Sequence, residues 1–191
     1  EEDDWCEVFN EEADATSRVT TTLRDHFSHW EKTGAPHFSL SVIKEGYKIR
    51  LEDCPAGMKY EEKNNKSYEK HEAFANKAVA KMEKIKVVER VRKEDCRFIN
   101  PLTVAVNNDG KKRLCIDLSR SLNKDAKTRK FKIRSHKEVA EMVEKGDYGF
   151  GLTLRSYYHQ VPIRKDSQNL LCFKIKKDGR WEYYMFKMLP F

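Results

Sequence analysis

Three consecutive cations, Lys111, Lys112 and Arg113, follow the dipeptide Asp109-Gly110. An arginine offers a rigid donor fork to phosphate, and neighbouring lysines add mobile charge. The run is therefore either a phosphate clamp or the solvated shoulder of a turn. Arg120, Lys124, Lys127, Arg129, Lys130 and Lys132 continue the basic series, the best nucleic-acid stripe in the chain. Phosphate contacts of that kind are salt-sensitive and blind to base sequence. Tyr157 and Tyr158 are candidates for base stacking, with core packing as the alternative. His159 could move a proton, but no nucleophile or paired carboxylate stands at a convincing spacing, so it reads as a hydrogen-bonded structural histidine. Asp147 and Asp166 flank this segment without a pairing signal. No catalytic residue, metal-ligand set or cofactor follows from these residues.

The 191 residues suffice for one compact domain, or a domain plus an extension. Charged residues make up 36% and hydrophobic residues 39%, which leaves material for a modest core. The net charge of +7 is uneven, because residues 1–12 hold seven carboxylates and no base, leaving +14 on the rest. A basic body attracts phosphate backbones or acidic protein surfaces. The acidic tip, with Trp5, Val8 and Phe9, docks on a basic partner, folds back on the body or stays a solvated arm. Five widely spaced cysteines without a Cys-x-x-Cys pair disfavour a disulfide scaffold or structural zinc. They suit a reducing cytosol or nucleus, with Cys115 and Cys172 as small buried residues. No apolar run approaches the length of a membrane span, and no hydrophobic signal segment opens the chain. A start without Met leads us to expect a fragment or a trimmed chain.

The positioning elements follow from periodicity. Val19, Leu23, Phe27 and Trp30 form one helical stripe, stopped by Gly34 and Pro36. Gly46 permits a tight turn, after which Tyr47 and Ile49 alternate into an extended piece. Residues 51–66 read as loop. Residues 67–93 read as helical, with Ser67 capping and Phe74, Ala78, Met82 and Ile85 on one stripe. Phe98–Val106 and Lys111–Leu118 form a hairpin through an Asp-Gly turn that tolerates positive φ. Ser135 caps a helix over residues 136–144, closed by Gly146. Residues 150–158 open as a strand, with a turn into helix as the alternative. A second hairpin joins residues 169–175 to 181–188, with Trp181, Tyr183 and Met185 on its buried face.

Residues 151–163, GLTLRSYYHQVPI, resemble the first catalytic segment of retroelement reverse transcriptases. Three further blocks in the same order extend that resemblance over roughly residues 30–191. Trp30 and the run LSVIKEGYKI are similar to the stretch preceding the fingers in tyrosine-recombinase-type and related retrotransposons. NPLTVAVNNDGKKRLCIDLSRSLNK resembles the fingertip hairpin and its return strand, and MLPF resembles the start of the family's LPFG segment. The resemblance implies an α+β fold, the fingers and partial palm of a right-hand polymerase, with antiparallel hairpins packed against helices. It divides the chain into an acidic arm and short amphipathic helix (1–33), a fingers-like region (34–146) and a truncated palm-like region (147–191).

In the family, Lys111, Lys112 and Arg113 would clamp a nucleotide triphosphate. Asn107 and Asn108 stand where relatives carry lysines, which weakens that cradle. The family's metal-binding aspartate aligns with Thr153, whose neutral hydroxyl cannot bridge two divalent ions. Gly151 replaces a lysine, and Tyr157 replaces a small residue beside the sugar. The paired-aspartate strand follows LPFG in relatives, so the resemblance implies a fragment or a truncation without polymerase activity.

The leading expectation is a non-catalytic, domesticated adaptor or scaffold that binds a stable protein partner, or a second copy, over an open palm edge. It would work inside a larger nuclear complex, with the cytoplasm as the alternative location. Trp5, Phe9, Leu23, Phe27, Trp30, Tyr183 and Met185 are its candidate partner-binding residues. The alternatives are a module binding RNA or an RNA–DNA hybrid through the basic fingers, and an inactive fragment of a retrotransposon polymerase. No membrane contact is expected.

Overall fold

A computed structural model describes residues 23–52, 54–55, 57–127, 135–151 and 157–190. After a 3-10 turn (Leu23–His26) come α1 (Phe27–Lys32), α2 (His37–Glu45), β1 (Tyr60–Glu61), α3 (Lys66–Lys70), α4 (Glu72–Lys84) and β2 (Val88–Val91). There follow β3 (Phe98–Ile99), β4 (Leu102–Val106), β5 (Lys112–Ile116), α5 (Leu122–Asp125), α6 (His136–Ala140), α7 (Lys165–Gln168), β6 (Cys172–Lys177) and β7 (Arg180–Phe186). Among the described residues this is a mixed α+β fold with two sheets.

The same dipeptide makes two different turns. Asp178 and Gly179 both adopt positive φ, +49° and +77°, so a two-residue turn joins β6 to β7 with Lys177 opposite Arg180. At the β4–β5 hairpin only Gly110 has positive φ, +82°. There the Asn107 carbonyl accepts from the Gly110 N–H, and the Asn107 N–H donates to the Lys111 carbonyl, both at 2.9 Å. The loop is therefore longer than the expected two-residue turn. The Asp109 carboxylate closes it by accepting from the Lys111 N–H at 3.0 Å.

The larger sheet runs β1-β3-β6-β7-β2, with β1 and β6 parallel to β3 and the remaining pairs antiparallel. β6 and β7 lie within 147–191, whereas β1, β2 and β3 lie within 34–146. One face is the main core: Phe98, Phe173, Ile175, Tyr184 and Phe186 lie there with Val79 and Met82 of α4. Phe173 stacks on Tyr184 with ring centroids 5.7 Å apart. Register corrects the expectation for β7. Tyr184 and Phe186 are its deeply buried residues, while Trp181 is exposed and Tyr183 and Met185 are half-buried on the opposite face. That opposite face holds only a small cluster of Cys96, Ile99 and Cys172, flanked by Val91, Tyr183 and Met185.

Other boundaries moved for identifiable reasons. The expected helix over 67–93 is two helices and then β2. Lys86 adopts φ +61°, and Val87 and Val88 turn into the core. Ala75, Ala78, Val79 and Met82 form the buried stripe of α4, whereas Ile85 is exposed beyond it. Ser67 does not cap a helix; its hydroxyl accepts from the Val104 N–H at 3.1 Å and so ties α3 to β4. The stretch 38–45, for which periodicity suggested no element, is α2. Within the expected loop 51–66, β1 forms by pairing with β3. Ser135 caps α6 through a reciprocal box with Glu138, and the helix ends at Ala140, earlier than expected.

Two contacts hold this frame. Asn100 is fully buried, and its Nδ2 donates to the carbonyls of Leu170 at 3.0 Å and Cys172 at 3.1 Å. Its Oδ1 accepts from Ser121 Oγ at 2.5 Å. Gly46, at φ +95°, lies against backbone, where a Cβ would meet Arg164 N at 2.5 Å and Ile163 C at 2.7 Å. Tyr47 then forms an isolated parallel bridge with Ile163, through Tyr47 N to Pro162 O (2.7 Å) and Arg164 N to Tyr47 O (3.1 Å).

Asn100→Ala should lower unfolding stability by about 2 kcal/mol, because the buried Leu170 carbonyl and the Ser121 hydroxyl lose their partner. The urea midpoint measures this, and a shift within error would contradict the hub role. Gly46→Ala should cost at least about 1 kcal/mol in the same assay, since both φ and the contact oppose a side chain.

Candidate functional site

The basic residues do not form one free stripe. Lys112 and Arg113 are consecutive on β5 and therefore face opposite sides of the hairpin. Lys112 lies opposite Val106, and Arg113 lies opposite Ala105. Lys111 sits in the loop with its Nζ 3.6 Å from Asp109. Arg120 is committed to the body of the protein, with Nη1 3.0 Å from Glu62 and Nη2 donating to Asn65 Oδ1 at 2.9 Å. Lys127 pairs with Glu52 at 3.1 Å. Lys124 is exposed on α5. Arg129, Lys130 and Lys132 lie outside the described residues. Intramolecular carboxylates thus offset much of the positive field on the described part of this surface.

The segment resembling a catalytic motif shows no constellation of reacting groups among its described residues. Thr153 lies outside them. Tyr157 and Tyr158 are exposed and meet edge to face with centroids 5.5 Å apart. His159 is half-buried, and burial lowers its pKa, which favours the neutral ring at pH 7. The Asp147 carboxylate accepts from the Glu144 N–H at 2.8 Å, which closes a turn. Asp166 is held by Arg164 Nε at 2.9 Å, and that ion pair keeps its carboxyl below the usual range. Among the described residues no three His, Cys, Asp or Glu side chains are placed to hold a metal ion. No described helix is long and apolar enough to cross a membrane.

The candidate partner-binding residues fall in separate places. Trp5 and Phe9 lie outside the described residues. Leu23 and Phe27 are half-buried in a helical hairpin with α2, where Lys44 Nζ stands 5.7 Å over the Phe27 ring. Trp30 is exposed on α1. Tyr183 and Met185 belong to the outer face of the large sheet, far in sequence from that hairpin.

The outer face carries a polar cluster that the sequence did not announce. Lys174 is 8% exposed, and its Nζ donates to Glu61 Oε1 at 2.5 Å. Lys93 reaches the other oxygen of Glu61 at 2.7 Å. The two ammonium groups also cap aromatic rings, Lys174 over Trp181 at 5.4 Å and Lys93 over Tyr183 at 5.8 Å. Hydrogen bonds from Lys174 and then Lys93 hold the Glu61 carboxyl below its ordinary value. A cleft of about 290 Å³ opens beside it, lined by Lys59, Glu61, Lys93, Glu94, Cys96 and Arg97 among others. Arg97 donates to the carbonyls of Met58 at 3.1 Å and Pro55 at 3.0 Å, neutral acceptors among the described residues. The bond to Cys96, together with burial, pushes the Cys172 thiol up and keeps it protonated.

A second unannounced feature is the stretch around α6. Val139, Met142, Val143, Tyr148 and Phe150 are 50%, 62%, 63%, 100% and 88% exposed. No residue from 135 to 151 is buried. The spacing 139, 142, 143 is an apolar helical stripe, the signal that could have marked it.

Glu61 makes acid stability testable. Its native pKa is lowered, so its contribution is complete above the ordinary value of 4.5 and is lost as pH falls through the lowered one. Glu61→Gln should therefore flatten the loss of unfolding stability below about pH 4.5 while lowering stability near neutrality. Parallel pH–stability curves for the two proteins would contradict this ion cluster.

No protein-family model matches this chain, and no curated protein is significantly similar to it.

Proposed function

We propose that this chain is a non-catalytic adaptor, built on a reverse-transcriptase-type fingers and partial-palm scaffold, that holds a protein partner within a larger nuclear complex. The observation that carries the reading is the set of large apolar side chains exposed between Val139 and Phe150. Fully burying one such side chain is worth about 1.5–3 kcal/mol, so a cluster this dense is a strong drive toward association. The charge of the stretch favours protein over nucleic acid. Residues 136–147 contain Lys137 and Lys145 against Glu138, Glu141, Glu144 and Asp147, an acidic balance that repels phosphate. The carboxylate pairing of Lys111, Arg120 and Lys127 points the same way.

The non-catalytic part rests on the resemblance, in which Thr153 occupies the place of the metal-binding aspartate. The fingers part is supported by the Lys111–Arg113 run at the end of an antiparallel hairpin. The nuclear part rests on the basic net charge and the same resemblance.

The test is affinity capture from cells with the tagged chain and a Val143→Asp/Phe150→Asp variant, with and without nuclease. Nuclease-resistant, stoichiometric protein recovery, lost at least tenfold in the variant, is the expected result. Because both side chains are exposed, the variant should keep its urea midpoint. Recovery that collapses with nuclease would instead assign function to the basic hairpin. Magnesium-dependent primer extension by the purified chain would overturn the non-catalytic assignment.

A further inference from the structure

We propose that the partner of the 139–150 stretch is a second copy of this chain, and that the stretch docks on the outer face of that copy's five-stranded sheet. This rests on the protein-binding reading above and names its partner. Register defines the receiving face: Cys172 lies opposite Met185, Lys174 opposite Tyr183 and Lys176 opposite Trp181, so these side chains share one side. Glu61 and Ile99 extend it across β1 and β3, and Val91 extends it across β2. The 92–97 turn covers one end, through Cys96 against Ile99 and Cys172. Trp181 remains 49% exposed, beside half-buried Tyr183 and Met185. The accessible apolar surface of the face is therefore the β7 strip led by Trp181, beside the Glu61–Lys174 ion pair of the central strand.

Its charge is opposite to that of the stretch. Lys59, Lys93, Arg97, Lys174 and Lys176 lie on one side of the apolar strip, toward β6, β3 and β1, against Glu61 and Glu94. Lys93 and Lys174 share the single Glu61 carboxylate, which cannot neutralise both. Glu89 and Lys187, also on this side, neutralise each other. The 136–147 stretch presents the complement, an apolar stripe flanked by four carboxylates and two lysines. Two surfaces of opposite charge balance, each with an exposed apolar strip, therefore exist on one chain, and neither is covered by the other within it.

Reciprocal docking about a two-fold axis uses both surfaces of both copies and leaves neither open, the closed arrangement commonest in homodimers. A single stretch of this length on a sheet is a small contact. A standard interface buries roughly 800 Å² per partner, and the two-fold arrangement doubles what one stretch supplies. The polar rims make the dimer salt-sensitive, because exposed charges are screened beyond about 10 Å at 0.1 M salt.

Sedimentation equilibrium of the purified full chain tests the proposal. The wild-type chain should show a monomer–dimer equilibrium that weakens with salt. Glu141→Lys/Glu144→Lys should weaken it at least tenfold through the stretch, and Lys59→Glu/Lys176→Glu through the face. Mixing these two variants in equal amounts should restore dimer to near wild-type affinity. In the mixed dimer one contact is fully reversed in charge and the other is wild-type, so both remain complementary. All four positions lie on the surface, and unchanged urea midpoints confirm the fold. A wild-type monomer at every accessible concentration, or a dimer indifferent to these charges, overturns the proposal. So does a mixture that fails to recover. If the chain is monomeric yet Val143→Asp/Phe150→Asp still abolishes capture of another protein, the second-copy assignment fails and the protein-binding reading stands. If that variant leaves capture intact, the reading itself fails.

Discussion

The buried amide of Asn100 is the constraint on which the rest of the structure depends. Its donors close on the Leu170 and Cys172 carbonyls where β6 begins, and its acceptor receives Ser121 just ahead of α5. Its own N–H donates to Cys172 O at 2.8 Å. Pro101 follows and turns the chain from β3 into β4, and the Pro101 carbonyl accepts from the Asp117 N–H at 2.8 Å. The Asn100 side chain therefore ties the large sheet to the approach to α5, and the adjoining Pro101 main chain ties the start of the hairpin to the return from it. A hydrophobic residue could fill the same volume, but would take the side-chain donor from the Leu170 carbonyl and the acceptor from the Ser121 hydroxyl in a dry interior. Buried groups of that kind cost more when orphaned than they gain when paired.

Beyond this hub the sheet has two unequal faces. The inner face buries Phe173, Ile175, Tyr184 and Phe186 beneath α4, and supplies most of the apolar burial. The outer face balances a thin apolar cluster against the Glu61–Lys93–Lys174 ion group. A nearly buried lysine is tolerable only because carboxylate, aromatic ring and backbone surround it, and that arrangement specifies orientation more than it adds stability. Lys174 therefore cannot swing out to solvent as an ordinary surface lysine does. It holds Trp181 and Glu61 at set positions and gives the outer face a defined shape.

What was legible in the sequence was local chemistry. Asp178-Gly179 announced the β6–β7 hairpin, Ser135 the cap of α6, and Gly34 the end of α1. The boundaries that failed depended on distant partners. Val88–Val91 carries no turn signal to separate it from the preceding helix, and becomes a strand only because β7 lies beside it. Tyr60 and Glu61 look like loop until β3 supplies hydrogen bonds. The odd residues of β7 alternate as convincingly as the even ones, so periodicity could not choose the deeper face; α4 chooses it. The Glu61–Lys174 contact spans more than a hundred residues and leaves no mark in composition. The exposed stretch around α6 did leave a mark, a helical stripe at 139, 142 and 143, but a stripe alone does not say whether it faces a core.

The junction at Gly46 bears on how this chain tolerates change. The helical hairpin of α1 and α2 meets the sheet-bearing body there through peptide groups, with Tyr47 bonded to Pro162 and Arg164 on either side of Ile163. A second tie, Arg24 Nε to Ile43 O at 3.4 Å, stays within the hairpin. The angle between hairpin and body is consequently written in main chain. Surface residues of α1 and α2 are then free to drift across a lineage without re-aiming the hairpin, while the glycine stays pinned. Such a joint lets one part of a protein acquire new chemistry and still present it in an unchanged direction.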